Sequence, residues 1–229
     1  YHEKALKIIL DKLGEDHIDV ASSYSGLGDI YYKKNEWDKA IEYYEKALKI
    51  RLNKLGEDHI NVAYLYDQLG RIYYKKNEWD KAIEYWEKAL KIKLEILSED
   101  HIDVAVSYNN LGLAYEKKHE YDIAITFHEK DLKIRLDKLG EDHIDVANSY
   151  NNLGLAYEKK DEYDIAIKYH EKALKIRLDK LGEDHIDVAS SYSGLGDIYY
   201  KKNEWDKAIE YYEKELKIRL NKLGEDHID

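Results

Sequence analysis

Paired amides, periodic imidazoles and paired lysines are the side chains of this sequence best equipped for chemistry. Asn109 and Asn110 recur 42 residues later as Asn151 and Asn152. An asparagine amide both donates and accepts hydrogen bonds, so such pairs form a ladder able to grip a peptide main chain without demanding a particular sequence. His17, His59, His101, His143, His185 and His227 repeat at the same interval beside Glu and Asp. Metal binding would require several of them to converge, whereas packed helices stand about 8–10 Å apart. A contact at a helix start is therefore expected, and no metal site. His2, His128 and His170 share a second column with Tyr44, Trp86 and Tyr212, where a hydrogen-bonded core histidine is expected. Asp131 follows His128 by three residues, at a position held elsewhere by Ala47, Ala89 and Ala173. The two are expected to compensate one another on one helix face and to make this the pH-sensitive point of the molecule. Lysine pairs at 33–34, 75–76, 117–118, 159–160 and 201–202 adjoin Tyr32, Tyr74 and Tyr200, a combination suited to an RNA track. The net charge of −11 repels phosphate, so no nucleic-acid partner is expected. The motifs H-E-x-x-H, G-x-x-x-x-G-K-[ST] and G-x-S-x-G are absent, which points to a protein that is not an enzyme and carries no cofactor.

The composition narrows the class further. The 229 residues include 37 basic and 48 acidic side chains but no Cys, Pro or Met. Lack of cysteine excludes disulfides, thiolate nucleophiles and sulfur-ligated metals. The longest apolar runs resemble Ile8-Ile9-Leu10 and fall far short of the roughly 20 residues of a spanning helix. No membrane partner is expected, and without a processing signal the expected compartment is the cytoplasm. The absence of Met suggests a fragment of a longer protein.

These residues must be positioned by a repeating scaffold. The segment Gly14-Glu15-Asp16-His17 recurs beginning at Gly56, Ser98, Gly140, Gly182 and Gly224, five steps of 42 without insertion or deletion. Residues 14–55 and 182–223 differ only at Ala47 against Glu215. Each unit holds two apolar stripes at helical spacing. Val20, Tyr24, Leu27, Gly28 and Tyr31 predict a helix A over about 17–34, and Trp37, Ala40, Ile41, Tyr44, Leu48, Leu52 and Leu55 predict a helix B over about 37–55. Asp16 is the expected cap of helix A, with Asp19 as the acidic half of a capping box. Asn35 can adopt the left-handed conformation that stops helix A, so the two helices form an antiparallel hairpin. Gly28 and Ala40, with their counterparts in every unit, are expected to put small residues on facing helices and let the backbones approach.

Tyr24-x2-Leu27-Gly28-x2-Tyr31 followed by Ala40-x3-Tyr44 resembles the tetratricopeptide pattern, and the match recurs around Gly70, Gly112, Gly154 and Gly196. Leu-Gly-Glu-Asp-His-Ile-Asp-Val-Ala at 13–21, with Tyr-Asn-Asn-Leu-Gly at 108–112 and 150–154, is similar to the 42-residue repeats of the kinesin light chain type. The usual repeat of 34 residues is longer here by eight, assigned to an extended helix B and the Gly-Glu-Asp-His link. Ile18 stands where a proline often follows the linker histidine. The resemblance implies an all-α solenoid, a right-handed superhelix of antiparallel helix pairs with 11 helices. A single array would fill 1–229: a partial helix B at 1–13, repeats at 14–55, 56–97, 98–139, 140–181 and 182–223, and the start of a sixth at 224–229.

The same resemblance implies that the inner faces of the A helices line a groove that binds peptides or partner domains. On it the expected peptide-binding residues are Asn109, Asn110, Asn151, Asn152, Lys117, Lys159, Tyr74, Arg71 and Tyr32. The function expected is a non-catalytic protein–protein interaction scaffold. The alternative is a structural module: without a polar capping helix, complementary ends could stack head to tail into a homo-oligomer.

Overall fold

The computed structural model describes residues 9–225, which form eleven helices and no strand. We number them α1 (9–13), α2 (Ile18–Lys33), α3 (Trp37–Leu55), α4 (Ile60–Lys75), α5 (Trp79–Ile96), α6 (Ile102–Lys117), α7 (Tyr121–Leu139), α8 (Ile144–Lys159), α9 (Tyr163–Leu181), α10 (Ile186–Lys201) and α11 (Trp205–Glu225). The protein divides into two compact units, Tyr1–Lys118 and His119–Asp229. In the first, α2 pairs with α3 and α4 with α5, while α3 packs on α4 and α5 on α6. In the second, α8 pairs with α9 and α10 with α11, while α7 packs on α8 and α9 on α10.

Each helix of type A begins with a cap that differs from the expected one. Asp16 lies outside the helix; His17 is the N-cap, and its Nδ1 accepts a hydrogen bond from the Asp19 backbone N–H at 3.2 Å. His59, His101, His143 and His185 do the same for α4, α6, α8 and α10. An imidazole nitrogen on an extended N-cap residue reaches the orphan N–H that a carboxylate oxygen would otherwise serve, and so the proton of the neutral ring sits on Nε2. The periodic histidines are thus helix-start groups. At the other end Glu36 N–H bonds the Tyr31 carbonyl (2.9 Å) and Asn35 N–H that of Tyr32 (3.0 Å), with Asn35 at φ 59°. This left-handed closure turns the backbone into helix B within three residues. Helix B ends on a glycine of positive φ, as at Gly56 (88°); where Ser98 replaces it, α5 stops at Ile96.

Each hairpin core is a row of side chains at 0–9% exposure, among them Val20, Ala21, Leu27, Ala40, Tyr44 and Ala47 in the first. The recurrent mid-helix glycine makes room for a ring of the following helix. A Cβ on Gly28 would lie 2.6 Å from Tyr44 Cε1, and on Gly70 the same distance from the Trp86 indole. Close ring-on-backbone packing outweighs the cost of about 1 kcal/mol for glycine inside a helix.

Candidate protein-binding surface

In the first unit, residues of the A helices meet through polar contacts. Arg71 on α4 stacks its guanidinium over the Tyr32 ring of α2 at 5.1 Å, and its Nη1 donates to Gln68 Oε1 at 3.2 Å. It is exposed and forms no ion pair among the described residues, though its charge pulls the Asp67 pKa down against burial. Tyr32 leans on Trp37 (5.3 Å) and Tyr74 on Trp86 (5.6 Å), which fixes both rings without burying them completely. Asp29 accepts from the hydroxyls of Tyr44 (2.5 Å) and Tyr64 (3.2 Å). That pairing, with desolvation as the larger cause, holds the Tyr44 phenol far above its ordinary range. Asn109 and Asn110 are half-buried on α6, and Lys117 is exposed in its last turn. The Asn110 amide makes no hydrogen bond within the protein among the described residues.

The second unit carries the other amide pair. Asn151 and Asn152 are half-buried on α8, and Lys159 is exposed at its end. The Asn151 amide likewise has no hydrogen bond within the protein among the described residues. One turn earlier Asn148 Oδ1 accepts from Arg177 Nη2 at 3.0 Å, and near the end of the helix Glu158 Oε1 holds Lys201 at 2.7 Å. The two amide pairs lie on different units; Tyr32 and Arg71, both expected site residues, touch directly.

The lysine pairs split by role. The second member of each of four pairs is tied to acids at the start of a helix B: Lys76 to Asp38 (2.5 Å), Lys118 to Asp80 (2.9 Å), Lys160 to Asp122 (2.7 Å) and Lys202 to Asp164 (2.6 Å). These cations join one hairpin to the next and are partly neutralised.

The buried histidine column departs from expectation. His170 is 1% exposed, with its ring pressed against the Gly154 backbone and Gly194 beyond Cε1, yet neither ring nitrogen has a hydrogen-bond partner. The acceptor used by Tyr44 and Tyr212, Asp29 and Asp197, is replaced in this repeat by Leu155. Burial pushes the His170 pKa down to about 4; Glu158 on α8 opposes the shift and Arg177 on α9 adds to it. His128 is fully buried as well, whereas His2 lies outside the described residues. Asp131 has partners beyond His128: its carboxylate accepts from Arg135 Nε (2.6 Å) and Ser149 Oγ (2.5 Å). Desolvation still raises the Asp131 pKa, against the lowering pull of Ser149, Arg135 and His128.

A sequence profile described as "Tetratricopeptide repeat" matches residues 1–53, 36–95, 59–137, 103–179 and 145–221. The protein belongs to the tetratricopeptide repeat family. Among solved structures it is similar to BtubC (BKLC) from P. vanneervenii, with TM-score 0.81 and 27% identity over 97% of this sequence and 88% of that one. It is also similar to a candidate kinesin light chain of P. anserina with nearly identical TPR-like repeats, with TM-score 0.78 and 21% identity over 90% and 98%. MamA follows with TM-score 0.62 and 25% identity over 86% and 97%. Among curated proteins none is similar enough to count as a relative. As a tetratricopeptide protein it has a helical repeat scaffold fold. Among its described residues no helix is long and apolar enough to cross a membrane, and no group of three or more His, Cys, Asp or Glu is placed to hold a metal ion.

One feature of this protein was not anticipated from its sequence. Arg51, Lys93, Arg135, Arg177 and Arg219 form a column of cations within the apolar stripe of helix B. Arg51, Lys93 and Arg177 are buried to 8% exposure or less, and Lys93 also meets Asp67 Oδ2 at 2.6 Å. Burial raises the Asp67 pKa and Lys93 pulls it back. The signal was a charge recurring every 42 residues between two leucines of a core face, as at Leu48-x2-Arg51-Leu52.

Proposed function

We propose that the protein is a non-catalytic protein–protein interaction scaffold of the cytoplasm whose A-helix faces bind peptides or partner domains, with no nucleic-acid or membrane partner. The observation that carries this reading is the set of polar groups held in place on those faces with hydrogen-bonding capacity left over. Arg71 is oriented by stacking on Tyr32 and has no carboxylate partner among the described residues. The amides of Asn110 and Asn151 have no hydrogen bond within the protein there either. Side chains already ordered by their neighbours lose little entropy on binding. Tyr74, Lys117, Asn109, Asn152 and Lys159 complete the two faces, each within its own unit.

A peptide selected from a random display library on the whole protein provides the test. Binding measured by calorimetry should weaken by about tenfold or more, which is about 1.4 kcal/mol, when Arg71→Ala or Asn110→Ala removes a contacting group in the first unit, or Asn151→Ala in the second. A selected peptide whose affinity none of the three substitutions changes would remove this reading.

A second reading, self-association, is favoured by one observation. The outer face of α11 exposes Ile209 (55%), Leu216 (54%) and Leu220 (57%), three large apolar residues in a row at helical spacing. Mass growing beyond a dimer with concentration in sedimentation velocity is the expected result; a constant monomer mass counts against it.

A further inference from the structure

Two opposite charges on the A-helix face of the first unit are held in place without neutralising one another. Asp29 on α2 spends one carboxylate oxygen on the protein: Oδ1 accepts from the Tyr44 hydroxyl at 2.5 Å and from that of Tyr64 at 3.2 Å. Its Oδ2 has no hydrogen bond or ion pair among the described residues. Arg71 on α4 stands in the same column one repeat later, gives Nη1 to Gln68 Oε1 and rests on the Tyr32 ring. Its Nε and Nη2 have no hydrogen bond among the described residues.

The charges around them are engaged elsewhere. Asp67 is paired with Lys93 at 2.6 Å, and its other carboxylate oxygen is sealed from solvent. Arg51 lies within the field of Asp29 but is buried and gives Nη1 to the Asn61 carbonyl at 3.0 Å. Tyr32, which carries the guanidinium, follows Asp29 by three residues on α2. The cation and the carboxylate therefore lie one helical turn apart along it, about 5–6 Å. In an extended chain the side chains on one face are two residues and about 7 Å apart, a spacing that meets both charges within side-chain reach.

We propose that this face selects an extended partner segment carrying a basic and an acidic side chain two residues apart, the base on Asp29 Oδ2 and the acid on the Arg71 fork. Both groups are fixed before the partner arrives, so pairing costs little ordering, and a like charge at either point is rejected by repulsion. A planar guanidinium held flat on a ring offers a carboxylate two parallel N–H donors. Tyr64, 38% exposed and bonded to Asp29, adds ring surface beside the base. No other pair of adjacent repeats offers this combination, since the column reads Asp29, Arg71, Leu113, Leu155 and Asp197. Asp197 accepts from Tyr212 as Asp29 does from Tyr44, but the repeat before it has leucine in the column, so the second unit lacks the cation. This inference rests on the peptide-binding reading and specifies what the first unit selects.

The test takes peptides selected on the whole protein from a random display library and keeps those whose binding weakens with Arg71→Ala. These peptides should share a Lys or Arg two residues from an Asp or Glu. In calorimetry with wild type, replacing either charge by glutamine should weaken a synthetic copy of such a peptide by about fivefold. Arg71→Glu, with folding checked by circular dichroism, should weaken it by about tenfold or more, and a peptide with lysine in place of its acid should regain the loss. Asp29→Asn keeps an oxygen for the two tyrosine hydroxyls; on it, the loss caused by replacing the peptide's base should disappear. Three results overturn the inference and leave peptide binding standing: peptides that respond to Asn110→Ala or Asn151→Ala but never to Arg71→Ala, peptides that need Arg71 but carry no paired charges, and an Arg71→Glu loss that charge reversal does not recover. Peptides indifferent to Arg71, Asn110 and Asn151 alike overturn both.

Discussion

His170→Phe should flatten the acid side of the stability profile, and the size of the effect follows from the burial of one ring. In the folded protein the His170 pKa is held down at about 4, against an ordinary value near 6.5. A depressed pKa in the folded state means that the unfolded state takes up the proton first. Stability is therefore complete above about pH 6.5 and is lost as pH falls from there towards 4, at about 1.4 kcal/mol per unit. Between pH 7 and 5 this one residue removes about 2 kcal/mol, and about 3 kcal/mol by pH 4. Phenylalanine fits the site because Tyr44, Trp86 and Tyr212 lie against Gly28, Gly70 and Gly196 just as His170 lies against Gly154. It also removes two buried nitrogens that have no hydrogen-bond partner, so at pH 7 the variant should be as stable as wild type or more so by about 1–3 kcal/mol. Asp131 acts in the opposite sense, since its raised folded pKa adds stability as pH falls towards the ordinary carboxylate range. It is present in both proteins and cancels in the difference. Urea unfolding of wild type and variant at pH 7, 6 and 5, followed by circular dichroism, measures that difference. Equal pH slopes in the two proteins would refute the reasoning.

Two further pairs of substitutions probe the packing. Gly28→Ala places a methyl 2.6 Å from the Tyr44 ring, between a fixed backbone and a fully buried side chain. Overpacking of this kind should cost about 1–3 kcal/mol and lower the melting temperature, whereas Gly26→Ala, with open space around its Cβ, should not. In the second unit, Arg135→Ala should cost about 3 kcal/mol because it strips the buried Asp131 carboxylate of its cation, while Asp131→Ala should cost far less. The latter restores the alanine of the other repeats and leaves Arg135 near Asp145 at 3.4 Å. Denaturant midpoints of the two variants check the asymmetry, and equal losses would argue against it.

Much of the scaffold was legible because its signals are local. Helices A and B fall within a residue or so of the spans that their apolar spacing indicates, and Asn35 takes the left-handed turn that its residue type allows. The cap was misread because Asp16 and His17 are adjacent and both able to accept an N–H; which one does so depends on where the first helical turn closes. His128 shares its expected partner Asp131 with other groups, for a similar reason. Spacing puts Asp131 on its face, but Arg135 on the same helix and Ser149 on the next lie within bonding distance of the carboxylate.

The sequence by itself determined the period of 42, the helical class, the hairpin turns and the columns that face inward, because each depends on side chains within a few residues of one another along a helix. Only the tertiary structure decided what each column does. Gly28 serves the ring of Tyr44 on the following helix, the buried His170 is left without the acceptor that Asp29 gives Tyr44, and the helix-B cation bonds the first turns of the following helix. Those outcomes depend on which surfaces meet across helices, and periodicity along one helix carries no information about the partner that covers it.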